Sequence, residues 1–182
     1  MASLRANYQY AKYVARHKLF VFLAGRQLGV GLWNLIVHDF SKFSRAEWGP
    51  YVDSFYGPKY LSIKEIHGDA RNHALDTGHY KEAVRERFDA AWNHHQKVNP
   101  HHWQWHFLVN DQDGTYPLAM PDRYRREMLA DWIAMGQAKG KPDTRRWYLT
   151  NREKMQLHPE TREWVERQLG VLRNEGESGA PY

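Results

Sequence analysis

The amino-acid sequence predicts an all-α fold, a compact single-domain bundle of about six or seven helices. Apolar residues recur at intervals of three and four along several segments, which is the pattern of a helix with one buried face. Capping residues, glycines and prolines stand at the ends of those segments. The chain has 182 residues, the size of one domain that can bury a core unaided. We therefore expect one domain over residues 1–172, with a loop or lid over 57–79 and a disordered tail over 173–182.

The first predicted helix runs from about Leu4 to Leu28 and carries His17 in the middle of its apolar stripe. The other members of that stripe are Tyr10, Val14, Val21, Ala24 and Leu28. A short second helix is predicted from Leu32, with His38 and Asp39 near its end.

Ser44 followed by Glu47 has the spacing of a capping box, which predicts a third helix from there toward Phe55. Helical periodicity returns at Tyr80 and ends at Asn99-Pro100, because proline cannot continue a helix. The apolar stripe of this helix consists of Val84, Phe88, Ala91, His95 and Val98.

Four further elements are predicted toward the C-terminus. The turn-rich segment 111–114 favours a small hairpin, and Pro121-Asp122 favours the start of a helix. That helix has Tyr124, Met128, Asp131 and Met135 on its stripe. Asp143 or Thr144 can cap a helix containing Trp147 and Leu149, and Pro159 opens a last helix with Trp164, Val165 and Leu169.

Composition excludes some kinds of site. Cysteine is absent, so a disulfide framework and a thiolate metal site are both ruled out. The longest apolar run, 19–24, is too short to cross a membrane, and the N-terminus lacks the pattern of a signal peptide. We expect a soluble cytoplasmic protein, in the host cytoplasm if a phage encodes it. The net charge of +5 and the pI near 9.4 favour an anionic partner, either a nucleic acid or a small phosphate ester.

Three predicted helices each place an ionisable residue where the apolar stripe calls for a core side chain. These residues are His17, His95 and Asp131. Burying such groups is costly without a partner, and imidazole and carboxylate together are the usual ligands of a divalent metal. The adjacent His38 and Asp39 supply further ligands at a helix end. The sequence therefore predicts a metal site.

Further histidines are concentrated between His94 and His106. His101 and His102 are both candidate ligands, and the sequence does not choose between them. We interpret His94 as a solvated neighbour of His95. The remaining histidines are interpreted as surface or ordinary polar residues, namely His67, His73, His79, His106 and His158.

Four other residues are candidates for catalysis or substrate binding. Glu127 lies one helical turn before Asp131, where it can orient a histidine, accept a proton or be an exposed helix residue. Lys42 follows Asp39 by three residues and can hold a phosphate or a leaving oxygen. Trp103 can stack on a base, and Arg146 belongs to a basic patch that can contact an anionic substrate.

The order of these candidate ligands resembles the HD-domain superfamily of metal-dependent phosphohydrolases. That resemblance implies an HD-domain-like helical fold whose ligands are a histidine, an adjacent His-Asp pair and a distant aspartate, with two more histidines in two-metal members. The chain is also similar to an uncharacterised family of small phage and bacterial proteins. The strings that carry this second resemblance are His17-Lys18, HDFSKF, AWNHHQKVNPHHWQW, EMLADW and LHPETREW.

The leading hypothesis is a metal-dependent phosphohydrolase acting on a nucleotide or another small phosphate ester. One or two divalent ions would lower the pKa of bound water, with Mn, Fe, Co, Ni, Mg and Zn all open. One alternative, implied by the HD resemblance, is a di-iron oxygenase. Another is a non-enzymatic phage protein that binds a host protein or nucleic acid, in which the same side chains form a hydrogen-bond network. Oligomeric state has no signal in the sequence.

Overall fold

A computed structural model describes residues 3–57 and 79–172 of the chain. The predicted tail over 173–182, nearly all of the predicted loop over 57–79, and His67 and His73 lie outside the described residues. In the part that is described, no helix combines the length and the apolar content needed to cross a membrane.

The described residues form seven α-helices and one two-stranded sheet, which confirms the all-α class. The helices are α1 Leu4–Gln27, α2 Leu32–Val37, α3 Trp48–Tyr56, α4 His79–Val98, α5 Asp122–Ala138, α6 Thr144–Asn151 and α7 Pro159–Gln168. Short 3-10 helices cover Phe40–Phe43, Trp103–Trp105 and Arg152–Lys154.

The predicted hairpin is also confirmed. Strands β1 Phe107–Asn110 and β2 Gly114–Pro117 pair antiparallel, with Asn110 opposite Gly114. Gly114 has φ +80°, a conformation that favours glycine, and the Asn110 side chain accepts hydrogen bonds from two backbone N–H groups of the turn.

The chain divides into two compact units, and neither is a continuous segment. The first unit comprises Met1–Arg16 and Val37–Asn99, and the second comprises His17–Ile36 and Pro100–Tyr182. Helix α1 therefore begins in the first unit and ends in the second. The prediction of a single domain stays a prediction.

The core of the first unit is formed by α3, α4 and the first half of α1. Its buried apolar residues are Ala6, Tyr10, Val14, Tyr51, Val52 and Ala91. Tyr10 packs edge-on against Trp48 with ring centroids 4.8 Å apart, and the Trp48 indole N–H donates to Asn7 Oδ1 at 2.8 Å. These contacts fix the start of α3 against α1.

The core of the second unit lies on α5, which supplies Met128, Leu129 and Trp132. Tyr148 on α6 and Val165 on α7 pack against them, and both are fully buried. The helix starts follow local sequence signals, because Asp143 caps α6 by accepting a hydrogen bond from Arg146 N at 2.8 Å and Pro159 opens α7.

Two predicted boundaries and one predicted core residue are wrong. Helix α2 ends at Val37, before His38 and Asp39 rather than after them. Helix α3 begins at Trp48, and Glu47 makes no capping hydrogen bond, so the segment from Ser44 is a turn and not a capping box. Val98 is 46% exposed because α4 ends there, one residue before Asn99-Pro100.

Substituting Gly136→Ala is expected to destabilise the second unit. A Cβ at Gly136 would lie 2.6 Å from the backbone oxygen of Lys141, which cannot move aside as a side chain could. We expect a loss of about 1–3 kcal/mol in the free energy of unfolding, measured by urea denaturation.

Gly49→Ala is the matched control, because Gly49 also lies in a helix. The atom nearest to a Cβ at Gly49 would be a side-chain nitrogen of an arginine at 3.9 Å, and this flexible side chain can move aside. That variant should be neutral or gain up to about 1 kcal/mol from helix propensity. Equal effects of the two substitutions would contradict the close approach at Gly136.

Candidate functional site

Asp39 stands at a sharp turn of the backbone between α2 and the 3-10 helix Phe40–Phe43. Its φ of 55° and ψ of 25° lie in the left-handed region, which aspartate tolerates better than most residues. The backbone oxygen of Asp39 accepts a hydrogen bond from Lys42 N at 3.0 Å, which closes the first turn of the 3-10 helix. This turn brings Lys42 back beside Asp39, whose carboxylate oxygen Oδ2 accepts a hydrogen bond from the Lys42 ammonium.

The Asp39 carboxylate is surrounded by nitrogen atoms of three buried side chains. His38 Nε2 lies 3.4 Å from Oδ2, and His95 Nε2 lies 3.2 Å from Oδ1. The side chains of Asp39, His38 and His95 are at most 2% exposed, and that of Lys42 is 9% exposed. The first unit thus brings together four residues that the sequence predicted for the site.

The second ring nitrogen of His95 contacts Glu47. His95 Nδ1 lies 2.7 Å from Glu47 Oε2, and His94 Nδ1 lies 2.9 Å from Glu47 Oε1. Glu47 is fully buried, whereas the His94 side chain is 41% exposed. Sequence reasoning assigned Glu47 to a helix cap and missed this role, because its partners are 47 and 48 residues away in the chain.

The buried groups around His95 favour one another's charged forms. Burial by itself lowers the pKa of His95, but the charge of Asp39 and the hydrogen bonds of Asp39 and Glu47 outweigh it, so the pKa is raised. Burial likewise opposes charge on Glu47, yet the hydrogen bond and charge of His95 hold the pKa of Glu47 below its ordinary value.

In the second unit, His17 on α1 and Asp131 on α5 lie side by side. His17 Nε2 is 3.0 Å from Asp131 Oδ1, and both side chains are buried. The sequence predicted that each would interrupt an apolar stripe and need a partner. Within this unit, each is the partner of the other.

Glu127, one turn before Asp131 on α5, is also buried and holds two polar neighbours. Its Oε2 accepts a hydrogen bond from Asn34 Nδ2 at 3.0 Å, and its Oε1 lies 3.4 Å from His101 Nδ1. Of the three roles left open for Glu127, the exposed helix residue is therefore wrong. The contact with His101 supports the role of orienting a histidine.

His101 and His102 are both buried in the second unit, with ring centroids 4.4 Å apart. Helix α4 ends at Val98, so these residues do not continue its faces. The structure leaves both as candidate ligands.

Two predicted substrate contacts belong to the second unit. Trp103 lies against the core of this unit, and Arg146 lies at a cavity. Trp103 is half-buried and packs against the core of that unit, which limits the ring surface left for stacking. Arg146 lines a cavity of about 590 Å³ together with Lys139, Lys141 and Trp147. Asp143 adds one negative charge to the same lining, so the three cations leave an excess of positive charge that suits an anionic group.

Two other histidines have ordinary structural roles. His106 Nε2 donates to the backbone oxygen of Pro100 at 2.7 Å, and burial lowers the pKa of His106. His158 caps α7 by accepting a hydrogen bond from Glu160 N. Both agree with their interpretation as polar residues outside the site.

The buried histidine, aspartate and glutamate side chains form clusters that could hold a metal ion. Of the residues that occur in these clusters, three belong to the first unit, namely His38, Asp39 and His95, and five belong to the second unit, namely His17, His101, His102, Glu127 and Asp131. Imidazole nitrogen and carboxylate oxygen fit divalent metals, and burial keeps the carboxylates away from competing water. The residues present therefore fit the predicted cofactor.

Comparison with known proteins places the chain in a family. Residues 6–171 match a family of unknown function, DUF5662, and because this match covers most of the chain, the chain belongs to that family. This agrees with the resemblance to an uncharacterised family that the sequence motifs carry. No curated protein and no solved structure matches the chain.

Substituting Lys42→Met is expected to destabilise the first unit, because it leaves the buried Asp39 carboxylate without its ammonium partner. Removing one member of a buried ion pair costs about 3–5 kcal/mol, which urea denaturation would measure as a loss in unfolding free energy.

Lys97→Met serves as the control, since Lys97 is an exposed lysine of the same unit. Its effect should stay within about 0.5 kcal/mol. If Lys42→Met lowered the unfolding free energy no more than Lys97→Met does, the ion pair would contribute nothing to stability.

Proposed function

We propose that this member of the DUF5662 family is a metal-dependent phosphohydrolase acting on a nucleotide or another small phosphate ester. The proposal draws on the ordered ligand set that resembles HD-domain phosphohydrolases and on the net charge of +5, which favours an anionic substrate.

The observation that carries the proposal is the environment of Asp39. A buried carboxylate with imidazole nitrogens of His38 and His95 at 3.4 and 3.2 Å has the donor atoms that a divalent metal prefers. An ammonium group from Lys42 is held at the same carboxylate. Metal ligands with a cation beside them are the groups that metal-dependent hydrolysis of a phosphate ester uses.

His38, Asp39 and His95 would bind the metal in the first unit. His17, Asp131, His101 and His102 stay predicted ligands, with one or two ions in the protein. A bound divalent ion lowers the pKa of its bound water, and its positive charge stabilises negative charge on the phosphoryl oxygens.

The remaining groups act through their own charges and hydrogen bonds. Asp39 holds the Lys42 ammonium by a hydrogen bond, and this ammonium would neutralise charge that develops on a phosphoryl or leaving oxygen. Glu127 positions the His101 ring through its Oε1 while Asn34 holds its other oxygen. Arg146, at the basic cavity of the second unit, stays a predicted substrate contact, as does Trp103.

His38→Ala and Asp39→Asn are expected to abolish metal binding and turnover together, because each removes a ligand from the same small set. The measurement is elemental analysis of the purified protein, followed by a panel of nucleotides and phosphate esters with the identified metal. We expect stoichiometric metal in the wild-type chain and a loss of turnover of at least about 10²-fold in both variants.

His158→Asn is the matched control, since asparagine keeps the helix cap and His158 lies outside the site. Metal and turnover retained in both His38 and Asp39 variants would refute the proposal. Iron with oxygen consumption would favour the oxygenase instead, and absence of metal with salt-sensitive nucleic-acid binding would favour a binding protein.

A further inference from the structure

Glu47 is a buried carboxylate whose two oxygens each contact a different histidine of α4. Oε2 lies 2.7 Å from His95 Nδ1 and Oε1 lies 2.9 Å from His94 Nδ1. Glu47 is fully buried and precedes α3, with no capping hydrogen bond to make there. Neither helix propensity nor capping accounts for a buried acid at this position, whereas its contact with His95 does.

An ionised carboxylate only accepts hydrogen bonds, so the nitrogen facing it must carry the hydrogen. His95 Nδ1 then donates to Glu47. The opposite nitrogen, Nε2, faces Asp39 Oδ1 at 3.2 Å, so without metal it carries a hydrogen too, and this is the hydrogen that a metal would replace. A carboxylate on one ring nitrogen is the arrangement that fixes the tautomer and orientation of metal-binding histidines and makes the other nitrogen a better ligand.

Two polar neighbours of Nδ1 besides Glu47 are compatible with this direction of donation. Ser41 Oγ lies 3.2 Å from His95 Nδ1, and it can accept from that nitrogen because its own hydrogen is donated to Glu47. The Asn99 amide nitrogen lies 3.1 Å from His95 Nδ1, but its two hydrogens are directed to Ser41 Oγ at 2.7 Å and to the His95 backbone oxygen at 2.9 Å. Trp92 stacks on the ring with an interplanar angle of 22°. Stacking holds the ring plane, but only a hydrogen bond distinguishes one ring nitrogen from the other.

We propose that Glu47 is a positioning residue of the metal site, which holds His95 with its Nδ1 protonated and its Nε2 directed to the metal. The inference rests on the proposed function only in requiring that His95 bind a metal. Glu47 itself contacts neither the metal nor the substrate.

Affinity for Co²⁺, measured by competition with a chelator, tests this role in the full chain. Glu47→Met keeps the side-chain length but removes the acceptor, and Co²⁺ binding should weaken about 10–100-fold. Glu47→Gln should rescue most of the affinity, since its amide oxygen can accept from His95 while its NH₂ faces the more exposed His94. His94→Ala, which removes the other partner of Glu47, should bind Co²⁺ like the wild-type chain.

Two results would overturn the role of Glu47. One is unchanged Co²⁺ affinity in Glu47→Met, and the other is equal weakening in Glu47→Met and His94→Ala. Glu47→Gln as weak as Glu47→Met would equally exclude hydrogen-bond acceptance as the cause.

Long-range ¹H–¹⁵N spectra of the wild-type chain loaded with Zn²⁺, a diamagnetic ion, keep the proposal falsifiable if Glu47→Met does not fold. We expect a protonated His95 Nδ1, and a bare Nδ1 would refute the inference. This readout needs neither turnover nor a substrate. A chain that binds Co²⁺ and shows the protonated Nδ1 but hydrolyses no phosphate ester would therefore refute the proposed hydrolase while supporting the role of Glu47.

Discussion

A buried ionisable side chain needs a partner of opposite charge or a set of hydrogen bonds, and this requirement organises both units of the protein. In the first unit the Asp39 carboxylate has polar contacts with Lys42, His38 and His95. In the second unit the Asp131 carboxylate contacts His17, and the Glu127 carboxylate contacts Asn34 and His101. Removing one member of such a group leaves a charge in a low-dielectric interior, so these residues stabilise the fold as well as forming a candidate site.

The backbone conformation at Asp39 brings residues of one sequence motif together in space. Because this residue adopts a left-handed conformation, α2 stops at Val37 and the chain enters a 3-10 helix. The first turn of that helix brings Lys42 beside Asp39, because Lys42 N donates a hydrogen bond to the Asp39 backbone oxygen at 3.0 Å. A non-glycine residue in this conformation costs roughly 1–2 kcal/mol, which the contacts of the carboxylate must offset.

Much of the fold and the burial of several site residues were predictable because their signals are local. The apolar stripe of α1 predicted Tyr10, Val14 and Val21 as core residues, and all three are fully or almost fully buried. Proline and aspartate marked the starts of α5, α6 and α7. An ionisable residue on an apolar stripe was enough to single out His17, His95 and Asp131 as buried. No local signal marks the end of α2, because the turn at Asp39 lacks the glycine or proline that usually announces one.

Sequence by itself determined where most of the helices lie and that His17, His95 and Asp131 are buried, since periodicity and capping act over a few residues. The partner of each buried group was decided by tertiary structure. Glu47 shows the difference most clearly, because its spacing from Ser44 indicated a cap while its carboxylate meets histidines 47 and 48 residues further along the chain. A capping box depends on neighbouring backbone, but a hydrogen bond between α4 and the turn before α3 depends on how those elements pack, and four residues of sequence cannot encode that packing.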